Sequence, residues 1–442
     1  MNERIKNIFK LLVPQIMWSF FKRKWFYFKE LCPIIKQQLR YWGIKKRIKR
    51  KSELIKILFV ITDSSQWKLC GLYESLKQTG FFEVSVLICP IISERGESHM
   101  RRMYKRCVDY FKKIEVDYFL AYNIENNSFN DISFIKPDIV YYITPFPNYR
   151  YGPEAFHDAL LIYSPYFFVG TTFTWNLGGD LFYSKLWKYF IECEANRKEV
   201  CKYSIIKGMN SVVTGYPSCD LLCSRKNLDY SEWRYGESNR KRVIWSPHHS
   251  IPGVHYENFS TFLSYYDNML NMAEKYKNEI EIVFKPHPLL KYALYQHPQW
   301  GKIRTDAYYE KWFMGENISL QEDDYIELFR TSDAILNDSN SFMIEYLYTQ
   351  KPALYLDNGK RLSFSNEVGL AAYNAHYHAG SFKEIESFLL RVVLGGKDEM
   401  KKQRKDFFDK YLLPPNGKTV TENILSEIIN GIGLSKKLKI TT

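Results

Sequence analysis

Three short stretches of this 442-residue chain carry side chains able to act on a phosphate. The first is Lys285-Pro286-His287-Pro288, directly after the apolar run Ile282-Val-Phe284. Prolines on both sides of His287 restrict the backbone, so its imidazole is held in one place at the exit of a buried strand. Lys285 adds a cation. An imidazole donates a hydrogen bond or titrates near neutral pH, so the pair suits charge developing on phosphate. The second stretch is Asp338-Ser339-Asn340-Ser341, between the apolar run Ala334-Ile-Leu336 and a helical pattern from Phe342. A helix beginning near Ser341 leaves its first N–H groups unpaired and positively polarised, which seats an anion. Ser339, Asn340 and Ser341 are small enough for a diphosphate to reach the backbone. Glu345 lies one turn further along the face of Ser341, where a carboxylate can accept hydrogen bonds from ribose hydroxyls. A plainer reading has Asp338 and Ser339 capping the helix and Glu345 on a solvated surface. The third stretch, Ser246-Pro-His248-His249-Ser250, is expected at the same sheet edge as His287. His248 and His249 suit phosphate contact or proton transfer, or serve as a pair anchoring the loop.

Such residues need strands that end together and helices that begin there. From Leu54 onward, short apolar runs alternate with helical patterns, the rhythm of βαβ units. Strands are expected at Ile55–Ile61, Val84–Cys89 and Lys136–Ile143 in the first half, with the polar loop Thr62–Gln66 leading to a helix over Trp67–Gln78. After a polar linker, Ser224–Asn239, the rhythm resumes at Lys241. This predicts an α/β chain with a Rossmann-like doubly wound domain over 53–223 and a second over 240–430, the last helix crossing back to the first. Residues 145–200 read less clearly. The aromatic residues from Tyr163 to Trp175 line an acceptor channel or belong to the core, and His157 is a base or a surface helix residue. The basic residues from Arg95 to Arg106 read as a solvated helix face. No Gly-x-Gly-x-x-Gly, Asp-x-Asp or Walker A sequence occurs. A bound dinucleotide, a metal held by that acidic motif and ATP hydrolysis therefore lack support, and neither cofactor nor metal is expected.

Charge is distributed unevenly. Residues 1–51 hold 15 Lys and Arg against Glu3 and Glu30, which accounts for the whole net charge of +13. The run Ile8–Phe21 is interrupted by Lys10 and Pro14 and is too short to span a bilayer. No small-residue cleavage site follows it. Aromatic and basic residues interleave through Lys22–Phe28, and a basic cluster follows at Lys45–Lys51, as suits the interface of an anionic membrane. Segment 1–52 is thus expected to be a helical membrane-associating arm. No RNA- or DNA-binding module follows the arm, so nucleic acid is not an expected partner. The eight cysteines lack a Cys-x-x-Cys pair, consistent with reduced thiols. A cytoplasmic protein, peripheral on the inner face of a bacterial plasma membrane, fits all of this.

The order Lys285-Pro-His-Pro, Asp338-x-Asn-Ser-x-x-x-Glu345, Pro352 resembles the CDP-glycerol glycerophosphotransferases that build teichoic acids and related capsule polymers. Val212-Val-Thr-Gly-Tyr-Pro-x-x-Asp220 and Asn416-Gly-Lys-Thr-Val-Thr-Glu-Asn-Ile424 are similar to two further patterns of that family, and the likeness covers roughly 205–430. The resemblance implies two domains facing a cleft (the GT-B arrangement). It implies that Asp338, Asn340, Ser341 and Glu345 hold the CDP portion of the donor and His287 its diphosphate. The reaction implied moves glycerol phosphate from CDP-glycerol to a hydroxyl of a surface polymer or lipid-linked precursor, releasing CMP. The family's polymerases carry a His-Gly motif in the first domain, whose histidine is the presumed base. None of the nine histidines here precedes glycine. Two other functions fit the same architecture: a glycosyltransferase using a nucleotide sugar for capsule or O-antigen synthesis, and a non-catalytic scaffold of a surface-polymer complex.

Overall fold

The computed structural model describes residues 15–91, 96–145, 150–172, 179–254, 258–358 and 365–435, with side chains from residue 31 onward. Two parallel sheets organise the chain. The first is built from β1 (Ile55–Ile61), β2 (Phe82–Ile88), β3 (Tyr118–Leu120), β4 (Ile139–Tyr142), β5 (Leu160–Tyr163), β6 (Lys188–Ile191) and β7 (Ser211–Val213). The second comprises β8 (Lys241–Ser246), β9 (Ile280–Phe284), β10 (Ile318–Leu320), β11 (Ala334–Asn337), β12 (Ala353–Leu356) and β13 (Tyr377–Ala379). Their orders are β3-β2-β1-β4-β5-β6-β7 and β10-β9-β8-β11-β12-β13. Helices cover both faces, so the central strands are buried throughout: Ile139–Tyr142, Ala334–Asn337 and Ala353–Leu356 are buried at every position. Strand order reverses at β1/β4 and at β8/β11. Loops leaving the carboxyl ends of those strands border the crevice where such sheets take ligands. The α/β class and paired Rossmann-like sheets match the sequence expectation.

The loop after β1 departs from it. Asp63 accepts a hydrogen bond from Ser65 N at 2.9 Å and caps the 3-10 turn Ser64–Gln66. Trp67 is 3% exposed and packs edge-on against Phe59. The helix therefore starts at Cys70, as α2 (Cys70–Gln78), rather than at Trp67. Downstream, Tyr163 and Phe168 belong to the core, Tyr166 and Phe167 are partly exposed, and 173–175 lie outside the described residues. His157 is exposed, 3.3 Å from its neighbour Asp158.

The basic segment forms α1 (Gln15–Arg50). Its final turns are part of the first domain. Ile34, Tyr41, Ile44 and Ile48, a stripe at helical spacing, are all buried. Gln38 donates to Ser184 O and Leu186 O at 3.1 and 2.9 Å, and Tyr41 to Lys185 O. Residues 34–51 therefore pack with the body, and the boundary expected at residue 52 falls inside a packed unit. The outer face shows Ile35, Leu39 and Trp42, exposed by 47, 69 and 63%. No helix among the described residues is long and apolar enough to cross a membrane. The apolar run Ile8–Phe21, the basic-aromatic run Lys22–Phe28 and Arg95 lie outside the residues whose side chains are described.

The terminal helix α6 (Val420–Ile432) returns to the first domain. Asp220 caps it, accepting from Val420 N at 2.9 Å and Thr421 N at 2.8 Å. Gly215, at φ 97°, lies so close to Val420 that a Cβ there would meet its side chain at 2.8 Å. Both roles explain the Gly-Tyr-Pro-x-x-Asp spacing physically: a left-handed close approach, then a cap five residues on.

Candidate active site

The exits of β8 and β9 are zipped together. Lys285 N donates to Trp245 O at 2.8 Å, His287 N to Pro247 O at 3.0 Å, and Ser246 Oγ to Lys285 O at 2.7 Å. This brings His248, His249 and His287 into one cluster, with ring centroids 4.2 Å (248–249), 4.2 Å (249–287) and 5.0 Å (248–287) apart. All three are partly exposed, and one ring nitrogen of each lies within 4.8 Å of the others. That spacing would suit a metal ion, and the His287 ring is also placed to serve an anion. Leu289 N donates to His287 Nδ1 at 3.1 Å, and Ser250 N to His248 Nδ1 at 3.3 Å. A neutral imidazole that accepts at Nδ1 carries its proton on Nε2 and presents a donor there. An Nε2 donor on His287 matches a phosphoryl oxygen, whereas the Nδ1 of His248 also lies 2.8 Å from Ser250 Oγ, a contact in which either atom can donate.

Asp338 underlies this cluster. Its carboxylate is fully buried and accepts from His248 N at 2.5 Å, Thr261 N at 2.6 Å and Thr261 Oγ1 at 2.8 Å. Asp338 therefore has a supporting position in the fold beside the role expected for it. Both oxygens are engaged in tying the histidine loop to the start of α4 (Phe262–Lys275). Ser339 is the N-cap residue of α5 (Asn340–Glu345), and its hydroxyl lies 3.5 Å from that of Ser341. Asn340 and Ser341 are partly exposed at the carboxyl edge of β11, as expected, with the helix starting one residue early.

Glu345 is placed differently from either sequence reading. It is 1% exposed and accepts a hydrogen bond from Tyr325, with Tyr216 and Phe168 of the first domain close beside it. Packing of the two domains buries this face of α5, so the carboxyl is neither solvated nor open to a ribose. Burial pushes its pKa up to about 7, opposed by the bond from Tyr325 and the charge of Lys68. Unfolded, the group titrates near 4.5. Its contribution to stability is thus complete below about 4.5 and is lost as pH rises towards 7. Glu345→Gln, which keeps an acceptor for Tyr325, should be more stable than the parent at pH 8 by on the order of 2 kcal/mol, an advantage absent at pH 4.5. Urea unfolding at both pH values measures this, and an identical difference at the two would refute it.

Beside that seam, cations from both domains surround an acidic turn. Lys68, 3% exposed at its side chain, pairs with Asp324 at 2.9 Å and lies over the Tyr325 ring at 4.4 Å. Arg106 pairs with Asp323 at 2.6 Å. Burial brings the Lys285 ammonium down to about 8, while Asp324 and Asp323 draw it up. Arg106 is accordingly a cross-domain partner and not merely part of a solvated face. Lys68, Asp324, Tyr325 and Tyr216 were not identifiable from sequence as a group. Lys68 and Asp324 stand 256 residues apart, and no motif marks either.

The comparisons agree with this architecture. The family model for CDP-glycerol:poly(glycerophosphate) glycerophosphotransferase matches residues 184–426. No curated protein matches the chain. Among solved structures, a histidine-to-asparagine variant of the wall teichoic acid polymerase TagF is 12% identical, with TM-score 0.60, covering 93% of this chain and 98% of that one. A putative UDP-N-acetylglucosamine 2-epimerase from Listeria monocytogenes is 14% identical, with TM-score 0.54 and coverage of 86% and 97%. S. aureus MnaA with UDP is likewise 14% identical, at TM-score 0.54 and coverage of 87% and 98%. At such identities these structures speak for the two-domain, GT-B-like fold, and the family match speaks for the chemistry. Its span takes in the Gly-Tyr-Pro turn, the histidine cluster, Asp338 and the start of α6, and on that match the chain belongs to the CDP-glycerol:poly(glycerophosphate) glycerophosphotransferase family of enzymes.

Proposed function

We propose that the chain moves a glycerol-phosphate unit from CDP-glycerol to a hydroxyl of a cell-surface polymer of the teichoic acid type, or of its lipid-linked precursor. The acceptor oxygen bonds to the glycerol-bearing phosphorus as the bond to CMP breaks, and the hydroxyl proton is given up. The observation that carries this reading is the cluster of His248, His249 and His287 at the carboxyl ends of β8 and β9. Aimed at phosphoryl oxygens, His287 and His248 stabilise charge that grows as CMP departs. Ser339, Asn340 and Ser341 offer small polar groups and the first turn of α5 to the nucleotide phosphate. Lys285 adds positive charge behind the cluster. The donor is a substrate, and the reaction as drawn uses no separate cofactor. CMP release from CDP-glycerol, set against nucleoside diphosphate release from a panel of nucleotide sugars, tests the assignment. Turnover of a nucleotide sugar alone would favour a glycosyltransferase, and failure to bind any cytidine nucleotide a scaffold.

For α1 we propose docking to the inner face of the plasma membrane through Ile35, Leu39 and Trp42, with basic residues alongside. Because residues 34–51 also pack the domain, truncation at residue 51 would damage the core. Converting the three exposed residues to serine is the cleaner variant. It should release the protein from anionic vesicles in a flotation assay, and undiminished co-flotation would dismiss the arm reading.

A further inference from the structure

A groove of about 1590 Å³ lies between the end of α1 and the first domain. It sits at the amino ends of the strands, bordered by Lys51 before β1, Lys136 before β4 and Asp158 before β5. The histidine cluster lies at the carboxyl ends of the second sheet, so the groove is separate from the donor site. Six bases line it: Lys46, Arg47, Arg50 and Lys51 from α1, with Lys136 and Arg150 from the body. Four acids are also present, each with an internal partner. Asp138 accepts from Lys51 at 2.6 Å and from Lys56 N at 3.0 Å, and Glu154 pairs with Lys185 at 2.5 Å. Asp131 accepts from Ser133 N at 2.9 Å, and Asp158 lies 3.3 Å from His157. Asp138 also lies 3.8 Å from Arg47, but among the described residues no carboxylate lies within ion-pair distance of Lys46, Arg50 or Lys136, so with six bases against four acids the groove is net positive.

We propose that this groove binds the phosphodiester headgroups of anionic phospholipid. Three observations favour lipid over a soluble phosphate. Part of the wall (Gly43, Lys46, Arg47 and Arg50) is the same helix whose outer face carries Ile35, Leu39 and Trp42. The bases stand on exposed rims of a wide, open groove, which suits several headgroups rather than one enclosed ligand. Lys46 also lies over the Trp42 ring at 3.9 Å, which joins the apolar stripe to the basic rim. The proposal rests on the membrane reading of α1, and its test separates the two.

The body wall supplies the discriminating variant, because Lys136 and Arg150 are exposed and lie outside α1. With full-length protein and vesicles of phosphatidylglycerol in phosphatidylcholine, Lys136→Glu combined with Arg150→Glu should weaken binding at least ten-fold and flatten its salt dependence. Lys136→Arg with Arg150→Lys should retain parental binding. Glycerophosphoglycerol, the water-soluble headgroup, should compete against the parent and not against the charge-reversed variant. Unchanged vesicle affinity in the charge-reversed variant overturns the groove, whatever the Ile35/Leu39/Trp42 serine variant does. If the serine variant alone loses binding, the arm reading survives without the groove. Tight binding of a soluble polyol-phosphate chain with no preference for vesicles would overturn the lipid assignment.

Discussion

Replacing His287 with alanine should lower kcat/KM for CDP-glycerol by about a hundred- to a thousand-fold, the usual cost of removing one preorganised donor to a developing oxyanion. His287 N is held by Pro247 O, and its Nδ1 accepts from Leu289 N, so ring position and tautomer are both set before substrate arrives. Preorganisation of this kind lowers the barrier because no donor has to reorient as charge moves. Initial rates of CMP release measure the loss, and a thermal-shift titration with CDP-glycerol tells binding from turnover. Most of the fall should appear in kcat, since the donor acts on charge that exists fully only in the transition state. An alanine variant with parental turnover would remove His287 from the mechanism.

Asp338→Ala should destabilise the protein by on the order of 3–5 kcal/mol, as expected when a buried charged acceptor leaves its donors unpaired. Three donors converge on that carboxylate, from His248 N and from both the backbone and hydroxyl of Thr261. A methyl group cannot satisfy them, and water has no evident route to a residue 0% exposed. Asp338→Asn should lose less, since one oxygen still accepts, while its amide meets the Thr261 donors unfavourably. Urea unfolding followed by tryptophan fluorescence gives the ranking, and an alanine variant within 1 kcal/mol of the parent would contradict it. Because Asp338 also positions the backbone of His248, CMP release should fall in the asparagine variant even where it remains folded.

Both predictions concern residues visible in the sequence, though for different reasons. Lys285-Pro-His287-Pro stands out by local chemistry alone: an apolar strand, two prolines and a titratable ring in four positions. That signal survives into the fold because strand exits are governed by neighbouring residues. Asp338 stood out as well, but its supporting bonds did not. Its spacing from Ser341 suggested a nucleotide contact, whereas its partners come from 90 and 77 residues earlier in the chain. Glu345 tells the same story. Its position one turn after Ser341 is as expected, yet Tyr325 and the first domain bury it.

The amino-acid order by itself determined the two βαβ domains, the loops that meet at their carboxyl ends and the concentration of charge at the amino terminus. These depend on period, on proline and on composition, all of which act within a dozen residues. Tertiary structure alone decided that three histidines share one site and that Asp338 supports it from below. It also placed Glu345 in the seam, carried Lys68 to an aspartate 256 residues away and made the end of the basic helix part of a domain. Hydrogen-bond partners and burial of polar groups depend on which surfaces come together when the domains pack, and no window along the chain contains that information.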